Sequence, residues 1–424
     1  MRVLILLAIA VALSVGGAPA QDAAEGGADL SSVIRLPDLV DHARRVNPEI
    51  RAAEQKLRAA EARPSQRGSL PDPTVTVGYR NDGFDRLTLG DEIMSQASLA
   101  LTQEVPFPGK LRLREEIASF EAAEERARLR ATTLGVIARL KVAFRELLFV
   151  HQSIDVVRRS KAILEKFEKS VEARYQTGQG IQQDVLKAQV EISKLVDRLV
   201  DLEQKKASAE AELNGILNRP ADALLGTPQS IPESPTPPGL EGLIELAEKH
   251  SPMLEEAAKT VRRGESALSL ARREYLPDFM LMGGYMNRES LPGMWETQLG
   301  VKLPLYFWRK QRYGVTEAVE TLGQARDGRQ NARQMVLARV RDLHATATRA
   351  RELVDLYRAG IIPQATLALE SAAAGYQVGR VDFLTYLDNF VTLLDYELRY
   401  REEAANLGKA AARLEETVGM ELEK

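Results

Sequence analysis

Apolar side chains recur three and four residues apart through the middle of the chain, between residues 185 and 216. Only Lys206 interrupts this spacing, and a shorter stretch near the C-terminus repeats it. No proline lies between Pro108 and Pro220, which leaves room for helices on the order of 60–100 Å long. The pattern predicts long helices packed as coiled coils. Its apolar positions are Val185, Ala188, Ile192, Leu195, Leu199, Leu202, Ala209, Leu213 and Ile216, then Leu384, Leu387, Val391, Leu394 and Leu398.

Four shorter segments instead alternate apolar and polar side chains, which is typical of strands with one apolar face. They lie near residues 73–80, 95–105, 278–287 and 295–304. Each has about 8–10 residues, the length that a tilted strand needs to cross a bilayer. The chain is therefore predicted to be mainly α with a small β part.

The chain contains two internal repeats, residues 36–218 and 240–421, each with the order helix, strand, strand and long helices. The landmarks that recur in this order are Asn47-Pro48 and Ser251-Pro252, Leu70-Pro71-Asp72 and Leu276-Pro277-Asp278, and Tyr175-Gln176-Thr177-Gly178 and Tyr376-Gln377-Val378-Gly379. Residues 219–239 hold six of the 19 prolines, which indicates a linker between the two repeats.

The first 20 residues have one positive charge at Arg2, an apolar run and an Ala18-Pro19-Ala20 ending. This pattern predicts a secretory signal peptide, with a retained membrane anchor as the alternative. Residues 21–35 are predicted to be a flexible N-terminal segment. Export of a chain that contains no cysteine fits the envelope of a Gram-negative bacterium.

Composition removes several classes of function. Lys and Arg number 57 against 60 Asp and Glu, so the basic surplus of a nucleic-acid binder is missing. The absence of cysteine excludes disulfides and thiolate metal sites. No phosphate-binding loop occurs, and no serine, histidine and carboxylate grouping indicates an enzyme. The four histidines, His42, His151, His250 and His344, lack the spacing of a metal site. We expect neither catalysis nor a cofactor.

Four strands cannot close into a cylinder, and a sheet in lipid must close because an open edge leaves backbone groups unpaired. Two chains would give eight strands and a filled interior, whereas three would give twelve strands and a lumen. An oligomer is therefore required if the strands lie in lipid. The alternative is a soluble periplasmic coiled-coil scaffold.

The doubled order, Asn47-Pro48, the Leu-Pro-Asp step before the first strand and the Tyr-x-x-Gly step resemble the TolC-like outer-membrane efflux family. The resemblance runs from about Leu36 to Glu421, and residues 103–110 and 381–384 are similar to its heavy-metal (CzcC- and CusC-like) branch. It implies a homotrimer in the bacterial outer membrane, whose 12-stranded β-barrel continues as an α-helical periplasmic barrel. It also implies two partners, a periplasmic adaptor (membrane fusion) protein and an inner-membrane pump of the RND type.

In this family, carboxylates and salt bridges at the periplasmic helix tips hold the tunnel shut. The resemblance assigns tip roles to Gly178, Asp184, Gly379, Arg380, Asp382 and Asp388. Two family positions differ, because Thr385 replaces an acidic residue and Val381 an arginine. A ring of three Asp388 side chains would concentrate cations in a narrow mouth. The alternative is that these are solvated charges at helix ends.

Three methionines, Met280, Met282 and Met286, share one face of the third strand, opposite Phe279 and Tyr285. If the aromatic face meets lipid, these thioethers face the lumen, where they would be soft ligands suited to Cu(I). Packing or chance explains them better, and we expect that replacing all three with leucine leaves export intact.

The function that these patterns favour is an outer-membrane channel of a tripartite efflux system, with heavy-metal cations as the substrates. The alternative substrates are drugs or small secreted compounds. An envelope hydrolase has no supporting motif.

Overall fold

A computed structural model describes residues 32–230 and 238–422. The predicted signal peptide, residues 21–31 and residues 231–237 of the linker lie outside the described residues. A short strand, β1 (Val33–Ile34), precedes the first repeat, which contains α1 (Leu36–Val46), α2 (Pro48–Gly68), β2 (Thr74–Arg80), β3 (Gln96–Val105), α3 (Lys110–Gln176) and α4 (Gln182–Ile216). A second short strand, β4 (Thr227–Pro228), lies in the linker. The second repeat contains α5 (Leu240–His250), α6 (Pro252–Arg273), β5 (Asp278–Arg288), β6 (Leu291–Lys302), α7 (Gln311–Leu356), α8 (Ile362–Gln377) and α9 (Phe383–Val418).

The Asn-Pro landmark marks a helix boundary. The side chain of Asn47 accepts hydrogen bonds from the backbone N–H groups of Glu49 (2.9 Å) and Ile50 (3.3 Å). Pro48 occupies the first turn of α2, where no partner for a backbone N–H is needed. Asn47 also donates to the carbonyl of Ile216 at 2.8 Å, so the cap ties α2 to the end of α4.

One long helix dominates the first repeat. α3 has 67 residues, a length of about 100 Å at ~1.5 Å per residue. The second repeat reaches the same length in three pieces, because a π-helical turn of 5 residues at Tyr357–Ile361 separates α7 (46 residues) from α8 (16 residues). Such turns insert an extra residue into a helix and bend it.

The predicted heptad positions form a core, except Leu384, which is exposed. In α4, Ala188, Leu195 and Leu202 are buried in one apolar cluster with Leu387 and Leu394 of α9. Val185, Ile192, Leu199, Val391 and Leu398 pack against this cluster. Lys206, the one residue that interrupts the apolar spacing, is half-buried, and its Nζ lies 3.9 Å from Oε1 of Glu210. The coiled-coil prediction is confirmed.

Four strands form one antiparallel sheet in the order β2-β3-β5-β6. The first hairpin has a long loop, whereas only Glu289 and Ser290 connect β5 to β6. β6 begins at Leu291, four residues before the predicted start of the fourth strand. The predicted strands near 73–80, 95–105 and 278–287 match β2, β3 and β5 closely.

A second sheet, which the sequence pattern does not predict, joins the two ends of the first repeat. β1 pairs in parallel with β4, through Val33 opposite Thr227 and Ile34 opposite Pro228. The backbone N–H of Gln229 donates to the carbonyl of Ile34 at 2.9 Å. Part of the predicted linker and the end of the predicted flexible segment are thus hydrogen-bonded to each other.

Candidate functional site: the sheet faces and the helix tips

One face of the large sheet carries apolar side chains on all four strands. The register sets Val75 opposite Leu101, Leu281 opposite Leu299, and Tyr285 opposite Trp295. These side chains are exposed in the protomer, Trp295 to 79%. A soluble monomer rarely exposes so large a continuous apolar face, whereas strands that face lipid do.

The opposite face is mainly polar. It carries Thr74 and Thr76 of β2, Ser98, Thr102 and Glu104 of β3, and Glu296, Gln298 and Lys302 of β6. Because side chains alternate along a strand, an apolar face that meets lipid leaves this polar face toward the interior of a closed sheet.

The methionines lie on the polar face. Met280, Met282 and Met286 pair with Glu104, Thr102 and Ser98 of β3. A fourth methionine, Met294, stands directly opposite Met286 on β6, and the sequence analysis missed it because it lies before the predicted start of that strand.

The two strands at the ends of the sheet, β2 and β6, each pair along one side only. Their other backbone N–H and C=O groups have no partner within the sheet. In lipid no water is present to satisfy such groups, so both edges need partner strands. The protomer alone does not supply them.

The tips of the two repeats are built alike. Gly178 and Gly379 both have φ of 72°, the left-handed region that glycine enters without steric cost. In each turn a backbone N–H beyond the glycine donates to a carbonyl of the preceding helix, from Gln179 to Arg174 at 2.8 Å and from Arg380 to Gly375 at 2.9 Å. These hydrogen bonds close the helix C-terminus as in a Schellman motif.

The structure brings two of the predicted tip carboxylates close together. Asp382 caps α9, accepting from the backbone N–H of Thr385 at 2.7 Å, and the hydrogen bonds from Thr385 lower the pKa of Asp382. Asp184 lies half-buried in the first turn of α4. Burial, followed by repulsion from Asp382, raises the pKa of Asp184.

Arg380 and Asp388 do not join this pair within the protomer. Arg380 is exposed and forms no ion pair with any residue in the described parts of the chain. Asp388 is exposed beside a groove of about 590 Å³ between α4 and α9, which Lys187 and Lys194 also line. The predicted tip residues therefore share one end of the molecule without forming a salt bridge in one protomer.

Arg174 is a tip residue that the sequence analysis missed. It lies in the last turn of α3 and donates to the carbonyls of Tyr376 (2.9 Å) and Gln377 (3.0 Å) at the end of α8. Its guanidinium carbon also lies 4.7 Å from the centroid of the Tyr376 ring. The only signal in the sequence is a basic residue near a helix C-terminus, which is common.

The side chains show no preformed metal centre in residues 32–230 and 238–422, where no three His, Asp or Glu residues are grouped to hold an ion. His151 is half-buried in α3, and its Nε2 has no hydrogen-bond partner. Burial, followed by the nearby charge of Lys206, lowers the pKa of His151.

The helices of the described chain include none that is long and apolar enough to cross a membrane.

Open edges, an apolar sheet face and helices about 100 Å long are the features of a membrane channel with a coiled-coil extension. A model of the outer membrane efflux protein family matches residues 39–219 and 243–420. The chain belongs to this family.

Relatives and solved structures agree with this assignment. Outer membrane protein TolC of Vibrio cholerae serotype O1 is 25% identical over 389 residues, which cover 86% of this chain and 87% of TolC. The cobalt-zinc-cadmium resistance protein CzcC of Cupriavidus metallidurans is 21% identical over 315 residues, 71% of this chain and 73% of CzcC.

The fold is shared with crystal structures of CusC and of VceC from Vibrio cholerae. The superposition on CusC has a TM-score of 0.79 at 15% identity and covers 94% of this chain and 96% of the CusC chain. The superposition on VceC has a TM-score of 0.77 at 16% identity and covers 92% of this chain and 97% of the VceC chain. The family makes this chain an efflux channel of the outer membrane with a periplasmic helical part, and not an enzyme.

Proposed function

We propose that three copies of this chain form the outer-membrane duct of a tripartite efflux system and conduct heavy-metal cations to the exterior. The observation that carries the duct is the sheet itself, with one apolar face, one polar face and two unpaired edges. β6 of one copy pairs with β2 of the next, so that no edge remains open in lipid.

Three copies satisfy the geometry better than two. Two copies give an eight-stranded barrel, whose interior is filled by side chains, whereas twelve strands leave space for a lumen. The polar residues of β2, β3 and β6 line that lumen in the trimer. The chain contains no phosphate-binding loop with which to drive transport itself. By the family resemblance, a periplasmic adaptor and an RND-type inner-membrane pump deliver the substrate at the other end.

The carboxylates proposed for the gate favour cations as substrates. With Asp184, Asp382 and Asp388 at the proposed periplasmic mouth, three copies bring nine carboxylates there, and a ring of three Asp388 side chains would concentrate cations. Arg174, Arg380 and Lys187 lie at the same tips, so the substrate class depends on which of these side chains face the opening. The similarity to a cobalt-zinc-cadmium resistance protein supports the same substrate class. The similarity to TolC keeps drugs or small secreted compounds as the second candidate.

The tips are proposed to be the gate. Because Arg380 has no ion-pair partner in its own protomer among the described residues, we infer that it meets Asp184 of a neighbouring protomer when the trimer is closed. Opening separates these charges when the adaptor docks.

Deletion of the gene tests the substrate class. We expect the deletion strain to lose tolerance to cobalt, zinc or cadmium, and a plasmid copy to restore it. Lost tolerance to antibiotics with unchanged metal tolerance would assign the duct to drugs instead.

A further inference from the structure

Arg174 connects the tips of the two repeats within one protomer. Its guanidinium donates two hydrogen bonds, to the carbonyls of Tyr376 (2.9 Å) and Gln377 (3.0 Å). These carbonyls belong to the last turn of α8, where the helix dipole favours a cation. The Tyr376 carbonyl also accepts from the backbone N–H of Gly379 at 3.1 Å, so Arg174 adds a second donor to it. A planar fork with two parallel donors fits this pair better than the point charge of a lysine.

The ring of Tyr376 gives the guanidinium a second contact. Tyr376 is only 8% exposed, and its ring packs 5.3 Å from that of Phe167 of α3. Phe167 in turn stacks on Tyr386 of α9, with 3.8 Å between ring centroids. Arg174 therefore lies over the end of an aromatic cluster that joins the two repeats, where a cation over an aromatic face is stabilised.

The second tip has no cation at the position that matches Arg174, the residue before the tip tyrosine. The residue before Tyr376 is Gly375, and the side chain of Val381 lies so close that a Cβ at position 375 would meet it at 2.5 Å. Val381 occupies this space, while the neighbouring Arg380 is exposed. The cation that holds the second tip thus comes from the first repeat.

We propose that Arg174 is a positioning residue that keeps the two tips of each protomer together, so that its release must accompany opening of the duct. This inference rests on the gated duct proposed above. The contact differs from the Asp184–Arg380 pair because it lies within one protomer and binds backbone carbonyls rather than a carboxylate.

The test compares Arg174→Ala and Arg174→Lys with Arg198→Ala in the purified full-length channel. Arg198 is the matched control because it also joins the repeats, through Asp395 at 3.1 Å, but both side chains are well exposed. Hydrogen exchange of the backbone amides in residues 174–180 and 375–382 reports on the tips directly. Single-channel conductance in planar bilayers reports on the opening.

We expect Arg174→Ala to speed exchange in both tip turns by roughly tenfold, as for the loss of a charge-assisted hydrogen-bond pair. The conductance of Arg174→Ala should be severalfold that of the wild type. Arg174→Lys should lie between Arg174→Ala and the wild type in both measurements, and Arg198→Ala should match the wild type. Unchanged exchange in both Arg174 variants would overturn the inference while leaving the duct intact. Absence of any conductance in the wild-type protein would instead remove the duct on which the inference depends.

Discussion

Two opposite charges at the helix tips, Asp184 and Arg380, lie in different environments. Asp184 is half-buried and next to Asp382, whereas Arg380 is exposed and lacks an ion-pair partner in its own protomer among the described residues. We predict that Asp184→Ala together with Arg380→Ala raises single-channel conductance in planar bilayers severalfold. The reason is that removal of both charges leaves no attraction between neighbouring tips in the closed trimer.

A matched control for this pair is Asp197→Ala together with Arg159→Ala, which removes one charge of each sign from exposed positions on α4 and α3. It should conduct as the wild type does. Equal conductance of the tip variant and the wild type would remove Asp184 and Arg380 from the gate.

The raised pKa of Asp184 gives the tip a pH dependence. Folding raises the pKa of Asp184 above its unfolded value of 3.8, so the protonated carboxyl stabilises the folded protein at low pH. This contribution to stability is lost as the pH rises through the raised pKa. At neutral pH the ionised Asp184 therefore costs stability in a separated protomer, where Arg380 of a neighbour is absent. We predict that in the separated protomer Asp184→Asn is more stable than the wild type by a few tenths of a kcal/mol at pH 7, a small value because the half-buried carboxylate keeps part of its contact with solvent.

Thermal unfolding of the separated protomer in detergent at a series of pH values measures this difference. It should shrink toward zero on acidification, as Asp184 becomes protonated in the wild type. The exposed Asp197→Asn on the same helix should show no such convergence. A difference between Asp184→Asn and the wild type that grows on acidification contradicts the prediction.

Among the elements, the junction where β3 passes into α3 depends on one buried cation. Lys110 is 1% exposed and donates to Asp278 (2.9 Å), Glu274 (3.3 Å) and the carbonyl of Leu276 (3.0 Å). Asp278 also accepts from the backbone N–H of Phe107 at 2.8 Å. The lysine thus holds the end of one repeat's hairpin against the start of the other's.

We predict that Lys110→Met destabilises the protein by roughly 1–3 kcal/mol, because it leaves the acceptors of a buried donor unsatisfied. The value is below that for a fully buried pair because Glu274 and Asp278 are partly exposed. Thermal unfolding of the trimer in detergent measures it. Lys194→Met, which breaks an exposed pair with Glu191 on α4, should change stability by less than about 0.5 kcal/mol. An equal loss in both variants would contradict the proposed role of Lys110.

Elements that depend on local periodicity were predictable from the sequence. The heptads of α4 and α9, the strands β2, β3 and β5, and the tip glycines follow from spacing of side chains and from backbone preferences. The start of β6 was not, because Pro292 and Gly293 in Leu291-Pro292-Gly293 suggest a loop. Proline is tolerated there since it lies at the start of β6, beside the irregular pairing near Met286 and Arg288.

Contacts between distant parts of the chain were not predictable. Arg174 meets Tyr376 across some 200 residues, at a sequence separation of 202, and β1 meets β4 across the whole first repeat. Neither contact has a local signal, because a short β-pair and a basic residue in a last helical turn are both common. The π-helical turn at Tyr357–Ile361 likewise reflects packing rather than a pattern of residue types.

For the whole molecule, the apolar face of the sheet and its two open edges call for the same environment. Val77 and Trp295 are each 79% exposed in the protomer, and in water such a face would aggregate. Lipid covers the apolar face, and neighbouring copies pair the edges. Membrane insertion and oligomerisation are therefore one requirement rather than two.

We predict that the protein stays in the membrane fraction after a carbonate wash and needs detergent for release, and that the released particle contains three copies by light scattering. The apolar face would have to be exposed to water in any carbonate-soluble form, whereas a coiled-coil scaffold without this face would wash off. Val77→Arg together with Leu299→Arg, on two different strands of that face, should strongly reduce insertion, because each cation would face the hydrocarbon at a cost of about 2–4 kcal/mol. The matched change on the polar face, Thr76→Arg with Gln298→Arg, should leave insertion unchanged, and a wild-type chain that is monomeric and soluble without detergent would contradict both the trimer and the duct.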